Sequence, residues 1–552
     1  MKTLALSALL MGGLLASTSA HAIVDMKNAN YSNTWVDIEV PGTGYELKIS
    51  RTYNSRSLLN GIFGFGWCSD FETKIEKTAE GNLKLVECGA GQETFYYPRE
   101  FGRKEIDRTI GQITARMKDS KKFEDRQLKA LSEQMVSDHD MRAQYASEYK
   151  VAIPVKDGTQ FFANGREVEN IIFAKGYYTR NLTDSSSMRF SNEGRLTHLY
   201  DKNGNFLKFD YEKDVIREIV DNNGRRLNFK FYTNKKVKSI VGPNGINADY
   251  KYANLDDLAS VKNGWGNTYT YEYDELHNLT KAGYPDNTFL ALTYDKKNDW
   301  VTTFTDRQKC VEAYKYEFSD SQPKMHYWAN VKKTCGKEVV NESKHEFWFK
   351  TRKDGQVYLQ RVASTINGNI TDITYHEVFG KPLSIRRNND MAGFEYFPNG
   401  QVKKKSTSLA NFVYEYDKGS RKVASVVVAF MNDKGKVAQT KKTEFRYDKK
   451  GNLTFAANTD GQKVQMTYDN RGRIASITDH AKKVVRIEYE DRFGKPSIVH
   501  RPGLGTIKVA YKSSGEIDKV SSNEGPTVAM QVASTFNNLL DILSPATAEV
   551  YN

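Results

Sequence analysis

Four cysteines fall into two close couples, Cys68 with Cys88 and Cys310 with Cys335. In an oxidising compartment such couples form disulfides, and pairing within each couple is expected, with three connectivities open to four cysteines. A loop of that size, once closed, adds about 3 kcal/mol of stability. A zinc site would need a Cys-x-x-Cys pair or a histidine at ligand spacing, and neither occurs, so no metal is expected. The nine histidines are scattered, and no His-Glu-x-x-His or Gly-x-Ser-x-Gly gathers an acid, base or nucleophile. Asp201, Asn203, Asn205 and Glu212 faintly resemble a calcium loop, but Phe206 stands where such a loop requires glycine. The run His326-Tyr327-Trp328, between the second couple of cysteines, could stack on a sugar, or its rings could fill a packed aromatic loop. The expectation is a protein without catalytic residues or cofactor.

The residues that recur are Tyr and Asp. Tyr211, Tyr232, Tyr252, Tyr273, Tyr294 and Tyr316 follow one another at 20 to 22 residues. After an irregular stretch the series resumes at Tyr375, Tyr396 and Tyr416, and after another at Tyr447, Tyr468, Tyr489 and Tyr511. Self-similarity at a fixed period marks a repeat architecture. Two and four residues before most markers the chain is apolar, as at Tyr269 and Tyr271 or Val464 and Met466, with polar residues between. That alternation is a strand with one apolar and one wet face. Asp and Gly follow, as in Asp469 and Gly472, and shape a turn. The next apolar pair is spaced by three, as in Ile474 and Ile477, which predicts a β-bulge or a strong twist. A second turn then closes the unit, as at Asn203-Gly204, so each period is a hairpin. Roughly fifteen hairpins would give about thirty strands, more than an open sheet carries without curling. The fold class is all-β, a spiralling antiparallel strip of hairpins with its aromatic face inward.

The flanking segments read differently. Residues 1–22 carry Lys2, an apolar run and Ala20-His21-Ala22, the pattern of a secretory signal peptide, and no other apolar run is long enough to span a membrane. The chain is thus expected in the periplasm, at the cell surface or outside. Residues 23–101 read as β elements and include the Gly-aromatic stretch from Gly61 to Trp67, taken as a plug or first turn. Residues 102–148 place Ile106, Ile110, Ile113 and Met117 at helical spacing, a helical insertion packed on its own unit. Residues 149–189 connect to the array at 190–520, and 521–552 form a tail with a helical pattern over 528–543. The formal charge of +13 is spread along the chain, with one run at Lys403-Lys404-Lys405. It fits solvated faces that discourage edge pairing, or attraction to an anionic envelope polymer. Nucleic acid is not an expected partner of such an exported chain.

Tyr468-Asp469-Asn470-Arg471-Gly472-Arg473-Ile474 resembles the consensus of the Rhs/YD-repeat family, and the segment from Arg51 to Trp67 resembles the short domain that precedes those repeats in bacterial members. The resemblance implies a β-shell like those of polymorphic toxins, insecticidal toxin complexes and teneurin receptors. The Asp-Pro-x-Gly motif of the toxins' self-cleaving segment does not occur, so autoproteolysis is not carried over. The expected role is an exported, non-enzymatic shell with a structural or surface-interaction task, binding a glycan or a neighbouring protein. The alternative is a shell that houses cargo encoded elsewhere.

Overall fold

The structure, a computed structural model, describes residues 23–88, 93–166, 168–254, 256–353, 357–503, 505–512 and 516–522. The expected signal peptide (1–22) and tail helix (528–543) lie outside the described residues. A 33-stranded antiparallel sheet runs from Gln160–Phe161 to Ile517–Ser522, each strand paired with its neighbours in sequence. Its first and last strands do not pair, so the strip stays open. The strip starts before the first marker, because residues 160–189 already contribute strands to the same sheet.

One repeat shows why this sequence makes this hairpin. In Thr268–Tyr273 the alternate residues Tyr269, Tyr271 and Tyr273 face the core. The register then slips at the marker: Tyr271 pairs with Ala282 but Tyr273 with Leu279. Met466 pairs with Ile477 and Tyr468 with Ile474 in the same way, so the spacing of three is a bulge. In the turn that follows, the Asp469 carboxylate accepts the amides of Arg471 and Arg473 at 3.0 and 2.8 Å. Gly472 adopts φ +78° there, a conformation that favours glycine.

The marker hydroxyl supplies a pin between strands. Tyr273 donates to the Leu258 carbonyl, Tyr294 to Leu279, Tyr468 to Leu453 and Tyr489 to Ile474, at 2.7–2.9 Å. Each acceptor opens the preceding strand, beside its bulge. Tyr232 and Tyr252 are exceptions, donating to Tyr250 and to Ile62. Burial accordingly raises the Tyr468 hydroxyl pKa to about 12. Tyr468→Phe is expected to cost about 1–2 kcal/mol, because the Leu453 carbonyl loses its partner. A urea melt would measure the loss, and hydrogen exchange should place it in the Leu453–Tyr468 hairpin.

Turns alternate between two rims of the strip. The marker rim carries turns after the tyrosines, such as 448–452 and 469–473; the far rim carries turns such as 201–205 and 222–225. Marker-rim turns of late repeats seat on far-rim turns of early strands, which makes the strip a spiral. Asn452 meets Asn203 at 3.4 Å, and Arg421 donates to the Val168 carbonyl at 3.3 Å. A Cβ on Gly472 would lie 2.0 Å from Asn203.

The N-terminal segment fills the first winding. Asn30–Val40 and Leu47–Asn54 belong to a four-stranded sheet whose Trp35, Ile38, Tyr53 and Trp67 share one core with Tyr250, Leu258 and Tyr271 of the strip. The same segment caps the marker rim: Ile75 N donates to Gly194 O, Val237 N to Ile62 O and Phe65 N to Asp256 O. The Gly61 to Trp67 stretch is part of this plug. Helices Arg103–Asp119, Asp125–Ser137 and His139–Glu148 bury Ile110, Ile113, Met117 and Leu128 in a separate small core with Ala79 and Val151. A third core runs from Ile385 to Ile477 along the second winding. The cysteine sulfurs lie at bonding distance, 2.04 Å for Cys68–Cys88 and 1.97 Å for Cys310–Cys335.

Candidate functional site

Between the cores of the two windings the period breaks and the strands lengthen. Cys310–Phe318, His326–Cys335, Glu338–Thr351 and Val357–Ile366 span 9, 10, 14 and 10 residues, against 6 in Thr268–Tyr273. The run His326-Tyr327-Trp328 lies at the start of one of them, as strand and not as loop. Successive side chains therefore point to opposite faces. Tyr327 turns inward, within 5.4 and 5.7 Å of the rings of Phe347 and Phe349, and donates to the Lys27 carbonyl. His326 and Trp328 turn outward.

Register brings partners to them that are distant in sequence. His326 pairs with Trp348, which pairs in turn with Arg361, while Trp328 lies between Glu317 and Glu346. The His326 ring stacks on Trp348 at 4.9 Å, and Arg361 covers Trp348 at 4.4 Å. Lys344 lies 4.8 Å from the Trp328 ring. Carboxylates fix the polar edges: Trp328 Nε1 and Asn330 Nδ2 donate to Glu317 at 2.9 and 2.7 Å, and His326 Nε2 meets Glu346 at 2.8 Å. Arg361 holds Asp372 through two bonds of 2.9 and 2.6 Å, joined by Arg386 at 3.3 Å.

The ion pairs are lopsided. Lys315 is 74% exposed against 34% for its partner Glu317, and Lys344 is 43% exposed against 20% for Glu346. Arg361 and Arg386 likewise stand above Asp372. The acids stay ionised: bonds from Lys315 and Trp328 hold Glu317 below the usual carboxylate range, and the Arg361 bond does so for Asp372. At Glu346 burial works the other way, and Lys344 with His326 outweighs it. The outer face thus presents two partly exposed indoles and a layer of cations above sunken anions. A groove of about 850 Å³ adjoins it, lined by Lys315, Asn330, Lys344, Val339 and Thr365.

Trp348, Arg361, Glu317 and Glu346 join the site only through strand register, and the readable signal was alternation within the long strands. The calcium-like residues do something else. Asp201 accepts the amides of Asn203 and Asn205, both at 2.8 Å, and the Asn205 side chain, so its oxygens shape a turn. Among the described residues no group of three or more His, Cys, Asp or Glu could hold a metal ion. No described helix is long and apolar enough to cross a membrane.

No curated protein is matched by the sequence. Solved structures that resemble the chain include TcdB2-TccC3-Cdc42, at 12% identity and TM-score 0.38, over 66% of this chain and 24% of that one. TcdB2-TccC3-TEV is similar at 11% identity and TM-score 0.38, over 93% and 31%. The Photorhabdus luminescens Tc holotoxin pore with TccC3-D651A matches at 9% identity and TM-score 0.22, over 85% and 36%. The chain spans roughly a quarter to a third of the length of those it matches. A domain family of unknown function, DUF6531, matches residues 22–95. The model described as teneurin YD-shell matches residues 178–340 and 330–517, most of the chain and the whole run of pinned hairpins, and the chain belongs to that family.

Proposed function

We propose that this YD-shell is an exported, non-enzymatic interaction protein that holds an acidic polysaccharide of the cell envelope on its outward platform. The carrying observation is the pairing of Trp328 and Trp348 with cations that stand above their acids. The indoles, packed against His326, Lys344 and Arg361, offer their partly exposed apolar edges to sugar rings, and the raised Lys and Arg offer charge to uronate or sulfate groups. Aromatic side chains of the N-terminal segment occupy the lumen of the first winding, which favours a surface ligand over enclosed cargo.

Retention on immobilised alginate, with neutral dextran as control, tests the reading. Wild type is expected to be retained on alginate and to elute earlier as salt rises, since exposed charges are screened. Trp328→Ala with Trp348→Ala should weaken binding by about tenfold or more, as lost ring contact at two indoles, together with the cations they hold in place, is worth about 1–3 kcal/mol. Equal retention on both resins, or an unaffected double variant, would sink the reading.

A further inference from the structure

The N-terminal segment does not meet the strip everywhere. Leu47 and Ile49 are buried in the shared core, so alternation along Leu47–Asn54 turns Lys48 and Ser50 to the opposite face. Those two residues, with Glu46 and Asp70, join the first strands of the strip in lining a cavity of about 310 Å³. Register makes the strip's share of the lining apolar. Met188 pairs with Leu199 and Leu199 with Leu207, while Phe209 pairs with Ile219. Small-molecule sites combine an apolar lining with a few polar groups in this way, over a range of about 300–1,000 Å³.

The polar share has one acid to spare. The lining holds two carboxylates, Glu46 and Asp70, against the single ammonium of Lys48. Glu46 holds Lys48 at 2.7 Å. Among the described residues the Asp70 carboxylate accepts no hydrogen bond and forms no ion pair. Its side chain is open to solvent, yet protein surrounds it closely enough that burial raises its pKa against the pull of Lys48. An acid that is both accessible and hemmed in faces a cavity.

We propose that this cavity binds a small amphipathic cation, an aliphatic chain ending in an ammonium group, with the ammonium on Asp70 and the chain along Leu199, Leu207 and Phe209. An anion would meet the surplus negative charge. A neutral apolar guest would cover Asp70 without pairing it, which is costly for a carboxylate.

Calorimetric titration of the full exported chain with hexylammonium chloride tests this. Saturable binding at one site is expected, about tenfold or more weaker for propylammonium, whose chain buries three fewer methylenes, and absent for hexanoate. Asp70→Asn should weaken hexylammonium binding by about tenfold or more, through loss of the charge. Leu199→Trp, which fills the cavity, should do the same, and wild-type urea midpoints would show that both variants are folded. Trp328→Ala with Trp348→Ala should bind hexylammonium as wild type does, which separates this cavity from the outward platform. Nα-acetyl-lysine methylamide distinguishes the sources: saturation by it as well assigns the cavity to lysine side chains, and saturation by hexylammonium alone assigns it to free amines. Failure of both ammonium compounds to saturate wild type, equal affinity for hexanoate, or binding that survives both cavity variants overturns the proposal.

Discussion

Asp37→Ala is expected to cost about 3–5 kcal/mol and to release the N-terminal segment from the strip. Arg51 and Asp37 have no exposed side-chain surface. The guanidinium reaches Asp37 through Nε at 2.6 Å and Nη2 at 3.0 Å, and Nη2 also donates to the Tyr271 hydroxyl at 2.8 Å. Tyr250 donates to the other side of the arrangement, 2.9 Å from Asp37 Oδ2. Trp67 supplies a ring face 4.6 Å from the guanidinium carbon. Burial would strip the Arg51 proton, but Asp37 outweighs it and keeps the group charged. Without Asp37 a dry cation is left unpaired, and the Tyr250 hydroxyl of the strip loses its acceptor. The pair Arg51→Met with Asp37→Leu should recover most of the loss, because it removes the charge along with its partner. Urea midpoints and limited proteolysis at the segment would decide. A single variant within about 0.5 kcal/mol of wild type, the range of ordinary surface changes, would mean the pair does not hold the plug.

That anchor also shows where sequence reading stops. The period of the markers, the alternation before them and the Asp-Gly turns are local, so the hairpin and the inward aromatic face could be read directly. The bulge was legible because Ile474 and Ile477 break the alternation by one residue. The tyrosine pin was not, since Tyr468 and Leu453 meet only once the strands have paired. Arg51 and Tyr271 are 220 residues apart, a distance over which no spacing rule operates. The platform failed for a related reason. Cys310 to Cys335 lacks the regular Asp-Gly turns, so His326 to Trp328 suggested a loop. Those missing turns let the strands run long, and cross-strand register then set Trp348 and Arg361 beside His326.

Between pH 4.5 and just above 7 the variant Glu72→Gln is expected to gain on wild type by roughly 3 kcal/mol, the worth of a shift of that size. Burial is the largest influence on Glu72 and raises its pKa from 4.5 to about 7. The amides of Ile62 and Ser69, each donating at 3.0 Å, and the nearby Lys236 oppose this without cancelling it. A raised folded pKa means that the native state binds the proton more tightly than the unfolded chain. Its contribution is therefore complete below pH 4.5 and is lost as pH climbs through 7. Other groups titrate nearby: burial also raises Asp70, which adds to the loss, whereas His198 and His345 are pushed down and act the opposite way. The raw slope of wild type mixes these, and the difference between the two proteins isolates Glu72. Urea midpoints at a series of pH values measure that difference, and a gap that stays constant across the window would sink the assignment. The site matters because Glu72 grips Ile62 beside the turn where Phe65 N reaches the Asp256 carbonyl. Ionising it leaves a buried charge where the plug meets the strip, so folding stability at the end that Arg51 anchors by charge falls as pH rises.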